Sequence, residues 1–130
     1  MKILVDSNIL ISALFYPNST PSRALIHAAK NHMLFISDYN ILELRRISQE
    51  KFAKKQADVD LFLAELKYKL ISAPDFEQEL INDPKDAPIL NAAIAANVDI
   101  IISGDKHFLC LDFEKPKTIR PADYLKLVGI

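Results

Sequence analysis

Glycine is scarce in this chain: two residues in 130, Gly104 and Gly129. That argues against a Gly-rich phosphate loop and against a turn-rich all-β fold. Cysteine is nearly absent as well. Cys110 alone cannot close an internal disulfide, which fits a reducing compartment. Neither sign of charge dominates, with sixteen Lys and Arg against seventeen Asp and Glu, so net charge carries no footprint of a polyanionic partner. No apolar run reaches bilayer-spanning length, and the opening MKILVDSN meets a carboxylate too early for a signal peptide. The expectation is a soluble cytoplasmic protein without membrane contact. Residues 1–130 form a single domain long enough to bury its own core.

What is present is a rhythm of apolar strands and amphipathic helices. Residues 2–5, 33–37 and 99–102 read as buried strands, with shorter ones at 71–73 and near 118–120. A helix begins with Thr20 as cap and Pro21 in its first turn, followed by the stripe Ala24, Leu25, Ala28 and Ala29. Asp38 caps a second helix, carrying Ile41, Leu42, Glu43 and Ile47. A third runs from about Asp58 to Leu70, with Val59, Phe62, Leu63, Leu66 and Leu70 on one face. Asp86 caps a fourth, with Ile89, Leu90, Ala93 and Ile94, ending near Asn97, and Pro121 opens the last. This alternation implies an α/β protein: a three-layer α/β/α sandwich around a mostly parallel central sheet.

The segment ILVDSNIL, residues 3–10, sets a carboxylate at the end of a core strand, where burying charge is costly. In an open parallel sheet, ligands bind beyond the carboxyl ends of the strands. Asp6 ends the first strand, and Asp105 follows strand 100–102. Glu43 lies in the first turns of the helix after the second strand, and Asp86 starts the helix leading into strand 100–102. All four acids can reach one sheet edge. Four carboxylates together repel one another, and a divalent cation removes that repulsion. An all-oxygen donor set suits Mg²⁺ or Mn²⁺ rather than zinc. Asn8 adds a neutral oxygen, and Ser103 can hydrogen-bond a carboxylate or a phosphate. Each residue also has a plainer reading. Asp86 and Asp105 cap helices equally well, Glu43 suits a solvated helix face, and Asp6-Ser7-Asn8 suits a polar turn.

These residues resemble the PIN domain family of nucleases. The resemblance rests on ILVDSNIL, on Glu43 within SDYNILELRR, on DAPILNAAIAANVDIIISGDKHF from Asp86 to Phe108, and on TIRPADYL near the end. It spans nearly the whole chain in order and is closest to the compact, VapC-like branch of toxin components. Asp83 lies near Asp86, but the A-x-x-L-x-A-A pattern after Asp86 matches the family's helix. The resemblance implies a Mg²⁺- or Mn²⁺-dependent ribonuclease with Asp6, Glu43, Asp86 and Asp105 as catalytic and metal-holding acids, supported by Asn8 and Ser103. It also implies an antitoxin protein partner and a homodimer. Water would attack phosphorus in line, leaving a 5′-phosphate and a 3′-hydroxyl. His27, His32 and His107 show no paired acid–base arrangement for a cyclic-phosphate route.

For the RNA substrate, Arg45, Arg46, Lys51, Lys54 and Lys55 cluster after Glu43 and could steer a phosphate backbone. A solvated helix face with Glu50 as local partner explains them as well. Lys106, beside Asp105, is a further phosphate contact by position. Tyr16, Tyr39 and Phe108 are candidates for stacking on bases. His107 and Cys110, three apart, are too few for a zinc site. Two other functions stay open at this level. One is a non-catalytic RNA- or protein-binding module of the same fold. The other is an aspartyl-phosphate phosphohydrolase, which usually places a second Asp where this chain has Asn8.

Overall fold

A computed structural model describes residues 1–51, 56–72, 87–105, 109 and 115–130. Among the described residues, five strands form one sheet: β1 (Lys2–Val5), β2 (Met33–Ser37), β3 (Lys69–Ile71), β4 (Ile100–Ile102) and β5 (Lys117–Ile119). Their order is β3-β2-β1-β4-β5, and every pairing is parallel. Six helices are seen among the described residues: α1 (Ser7–Phe15), α2 (Thr20–Asn31), α3 (Asp38–Lys51), α4 (Gln56–Glu65), α5 (Ala87–Ala95) and α6 (Pro121–Leu127).

The strands are apolar on both sides because both sides are covered. Successive residues point to opposite faces, and the core divides along that alternation. Ile3, Val5, Leu34, Ile36, Ile100 and Ile102 pack with α1, α2, α3, α4 and α6, through residues such as Leu10, Leu25, Leu44, Val59 and Leu125. Leu4, Phe35 and Ile101 face the other way and pack with Leu90 and Ala93 of α5. The sandwich expected from the sequence is therefore observed. No described helix is long and apolar enough to cross a membrane.

Local boundaries differ from expectation where one polar side chain captures a helix start. The cap of α2 is Ser19, not Thr20: its side chain accepts from the Ser22 N–H. The cap of α3 is Ser37, not Asp38. The Ser37 hydroxyl accepts from the Asn40 N–H at 3.0 Å, and Asn40 Oδ1 accepts from the Ser37 N–H at 3.2 Å. That is a reciprocal capping box with Asn in the place usually held by Glu or Gln. The helix expected to reach Leu70 ends at Glu65, and Lys69–Ile71 pairs with β2 instead, leaving Leu70 exposed. The short strands expected at 71–73 and 118–120 lie at Lys69–Ile71 and Lys117–Ile119.

Candidate active site at the sheet switch point

The chain winds from β1 through β2 to β3 on one side, then returns to place β4 and β5 on the other side of β1. The reversal opens a crevice between the carboxyl ends of β1 and β4, the place where ligands bind in sheets of this kind. Asp6 follows β1, and Ser103 follows β4. The backbone ladder continues past both strands. The Asp6 N–H donates to the Ile102 carbonyl at 3.2 Å, and the Ser103 N–H donates to the Ile119 carbonyl at 3.0 Å. The two residues are thus held by the sheet rather than by loops.

Asp6 is 3% exposed. Its Oδ1 caps α1 by accepting from the Ile9 N–H at 3.1 Å, so Ser7 and Asn8 open a helix where the plainer reading had a polar turn. Its Oδ2 accepts from the Ser103 hydroxyl. The same hydroxyl oxygen accepts from the Asp105 N–H at 2.9 Å, tying the second acid's backbone to the first acid's side chain. Burial pushes the Asp6 carboxyl up to about 6, and the neighbouring Asp105 charge pushes the same way. The bonds from Ser103, Ile9 and Asn8 oppose that rise by favouring the carboxylate. Removing one of them has a definite sign. In Ser103→Ala, Asp6 should titrate above about 6, read from its carboxyl carbon by NMR; an unmoved titration would show that Ser103 does not hold the ionised form.

A second polar layer sits beside this one, and sequence reasoning missed it. Asn40 is fully buried. Its Oδ1 accepts from the Ser37 hydroxyl at 2.8 Å, and its Nδ2 donates to the Ser7 hydroxyl at 3.0 Å. Ser7 directly follows Asp6. The network therefore joins the end of β2 and the start of α3 to the start of α1. Glu43 lies three residues beyond Asn40, one turn along α3 on the same side, and is half-buried. The available signal was the S-x-x-N spacing at 37–40, which matches a capping box.

The structure brings Asp6, Ser103 and Asp105 together, places Glu43 on the adjoining helix, and leaves Asn8 exposed in the first turn of α1. Asp86, Lys106, His107, Phe108, Cys110, Lys54 and Lys55 lie outside the described residues. Among the described residues, no group of three or more His, Cys, Asp and Glu is arranged to hold a metal. The Asp6–Asp105 pair still fits Mg²⁺ or Mn²⁺, because Mg²⁺ typically uses one or two carboxylates and takes its other oxygens from water and phosphate. Arg45 and Arg46 are exposed and bound to local acids, Asp60 at 2.7 Å and Glu50 at 3.3 Å. Tyr16 is exposed, and Tyr39 packs partly against the α5 side of the core.

The model of the PIN domain matches residues 2–107, and the chain belongs to the PIN domain family. Among solved structures, the fold is similar to that of VapBC2 from Rickettsia felis, bound to a DNA fragment from its promoter. The match has a TM-score of 0.66 and 22% identity, covering 81% of this chain and 88% of that one. No curated protein matches the sequence.

Proposed function

We propose that this chain is a divalent-metal-dependent ribonuclease hydrolysing RNA phosphodiester bonds, and the toxin half of a toxin–antitoxin pair. The observation that carries the reading is the Asp6–Asp105 pair at the switch point, with one carboxyl buried and pushed up to about 6. At neutral pH that carboxyl is ionised beside a second acid, a concentration of negative charge that suits a divalent cation. The cation, when bound, lowers the pKa of water and screens the charge of the phosphate under attack.

The chain's own groups do the rest. Asp6 and Asp105 hold the ion, and Ser103 orients Asp6 and favours its ionised form. Glu43 and Asp86 complete the acidic set. Asn8, in the first turn of α1, orients water or phosphate. Asp105 or Asp86 takes the proton from the attacking water. An apolar groove of about 500 Å³ between α2 and α4 is lined by Ile26, Ala29, Phe62 and Leu66 and rimmed by Lys30 and Glu65. It supports a protein partner, which we assign as an antitoxin, and the same exposed face suits a homodimer.

The test is cleavage of labelled RNA by the purified protein with Mg²⁺, Mn²⁺ or EDTA, beside an Asp6→Asn preparation made identically. Metal-dependent fragments carrying 5′-phosphate and 3′-hydroxyl ends, absent with EDTA and from the variant, are expected. RNA binding without turnover in either metal would replace the nuclease with a binding module of the same fold.

A further inference from the structure

The sheet register carries a third residue into the row that holds Asp6 and Ser103. Val5 pairs with Ile102, and Ile102 pairs with Ile119. One step further along each strand stand Asp6, Ser103 and Arg120. Two of these steps are fixed by the ladder bonds from Asp6 to Ile102 and from Ser103 to Ile119. Neighbouring strands lie about 4.8 Å apart, which puts the Arg120 Cα roughly 10 Å from that of Asp6. An extended arginine covers most of that span. Arg120 keeps an extended backbone, φ −75° and ψ 155°, so strand alternation holds through it. Its row shares the face of Leu4, Ile101 and α5.

Arg120 is anchored at its backbone and open at its head. Its carbonyl accepts from the Tyr124 N–H at 2.9 Å, and the buried Pro121 follows it. The side chain is exposed, and among the described residues it has no ion pair or hydrogen bond. Arg45 and Arg46 differ in this respect, since both are already engaged by acids.

We propose that Arg120 is a substrate-binding residue whose guanidinium grips a backbone phosphate of RNA next to the one being cut, on the β5 side of the site. This rests on the ribonuclease reading above. Two parallel N–H donors match two phosphate oxygens, a geometry lysine lacks. A contact to a phosphate that does not react binds substrate and transition state alike, so its loss raises KM and spares kcat.

The experiment is steady-state cleavage of a labelled single-stranded RNA with Mn²⁺ from 50 to 300 mM salt. It compares wild type, Arg120→Gln, Arg120→Lys and Lys126→Gln, the last removing one exposed charge from the far end of α6, the helix that follows Arg120. Arg120→Gln should raise KM about tenfold, the size of one exposed charge-assisted contact, with kcat within about twofold of wild type. Its slope of log KM against log salt should fall by about 0.7, the loss of one phosphate contact on a single strand. Arg120→Lys should keep the slope and recover part of KM, and Lys126→Gln should match wild type. An unchanged KM and slope in Arg120→Gln, with wild type active, would overturn the assignment alone. An equal effect in Lys126→Gln would reduce it to general charge. Inactive wild type would overturn it together with the ribonuclease reading.

Discussion

Asp6→Asn should abolish metal-dependent RNA cleavage, by about a thousandfold or more, and at the same time make the metal-free protein more stable at pH 7.5. On the proposed ribonuclease reading, the first effect follows from removing a charged oxygen that would hold the cation beside the phosphate under attack. The second follows from the cost of keeping that charge buried. The Asp6 carboxyl lies at about 6 in the fold against its ordinary 3.8, so the native state binds this proton more tightly than the unfolded chain does. The contribution of this group to stability is full below about 3.8, falls as pH rises to about 6, and stays reduced above that. The gap amounts to roughly 3 kcal/mol at about 1.36 kcal/mol per pKa unit. Asn removes the charge and remains a good helix cap through its carbonyl oxygen. Thermal melts in EDTA should therefore show the variant higher at pH 7.5, with the difference shrinking toward pH 4. Mn²⁺ should raise the melting temperature of wild type and not of the variant, by mass action on the folded state. A variant that melts lower than wild type at pH 7.5, or that still cuts RNA, would show that Asp6 serves as a structural cap.

Asn40→Ala should destabilise the protein by about 3 kcal/mol, because the Ser37 N–H, the Ser37 hydroxyl and the Ser7 hydroxyl each lose a buried partner worth about 1 kcal/mol or more. In a domain of this length that corresponds to a fall in melting temperature of about 10 °C. The change also frees the first turns of α3 from the start of α1, so Glu43 and Asp6 lose a shared reference. Cleavage by the folded fraction should drop well below the loss of folded protein, measured at a temperature where circular dichroism shows the variant still folded. A melt within 2 °C of wild type would mean that water replaces the amide and that the network is dispensable.

The strands that form the centre of the sheet were legible because they are apolar on both faces. Ile3-Leu4-Val5 and Ile100-Ile101-Ile102 have no polar side to mislead the eye. The strand β3 was legible only in part, expected at 71–73 and found at Lys69–Ile71. Tyr68-Lys69-Leu70-Ile71 continues an apolar helical spacing, and only pairing with β2 decides against a helix. Helix starts slipped by one residue at Ser19 and Ser37, where adjacent polar residues compete and the backbone geometry selects the winner. The meeting of Asp6 with Asp105 could be read because parallel strands deliver their carboxyl ends to one edge. Asn40 escaped because an amide on an amphipathic helix usually faces water. Arg120 escaped because its neighbours are set by register between strands distant in sequence, which no local pattern encodes.

The position of β1 between two partners has a consequence for how the site fails. Its amides are bonded within a strand flanked on both sides, while among the described residues β3 and β5 each have one neighbour. Amide hydrogens along β1 should exchange with solvent only through global unfolding, whereas the edge strands open by local excursions of lower free energy. Asp6 follows the middle strand of the sheet, and Arg120 follows β5 at the end of the described strand order. Fraying of β5 would loosen the rim around Arg120 before the buried carboxylate moved, so partial opening would erode the proposed grip on RNA sooner than it dismantled the acidic centre.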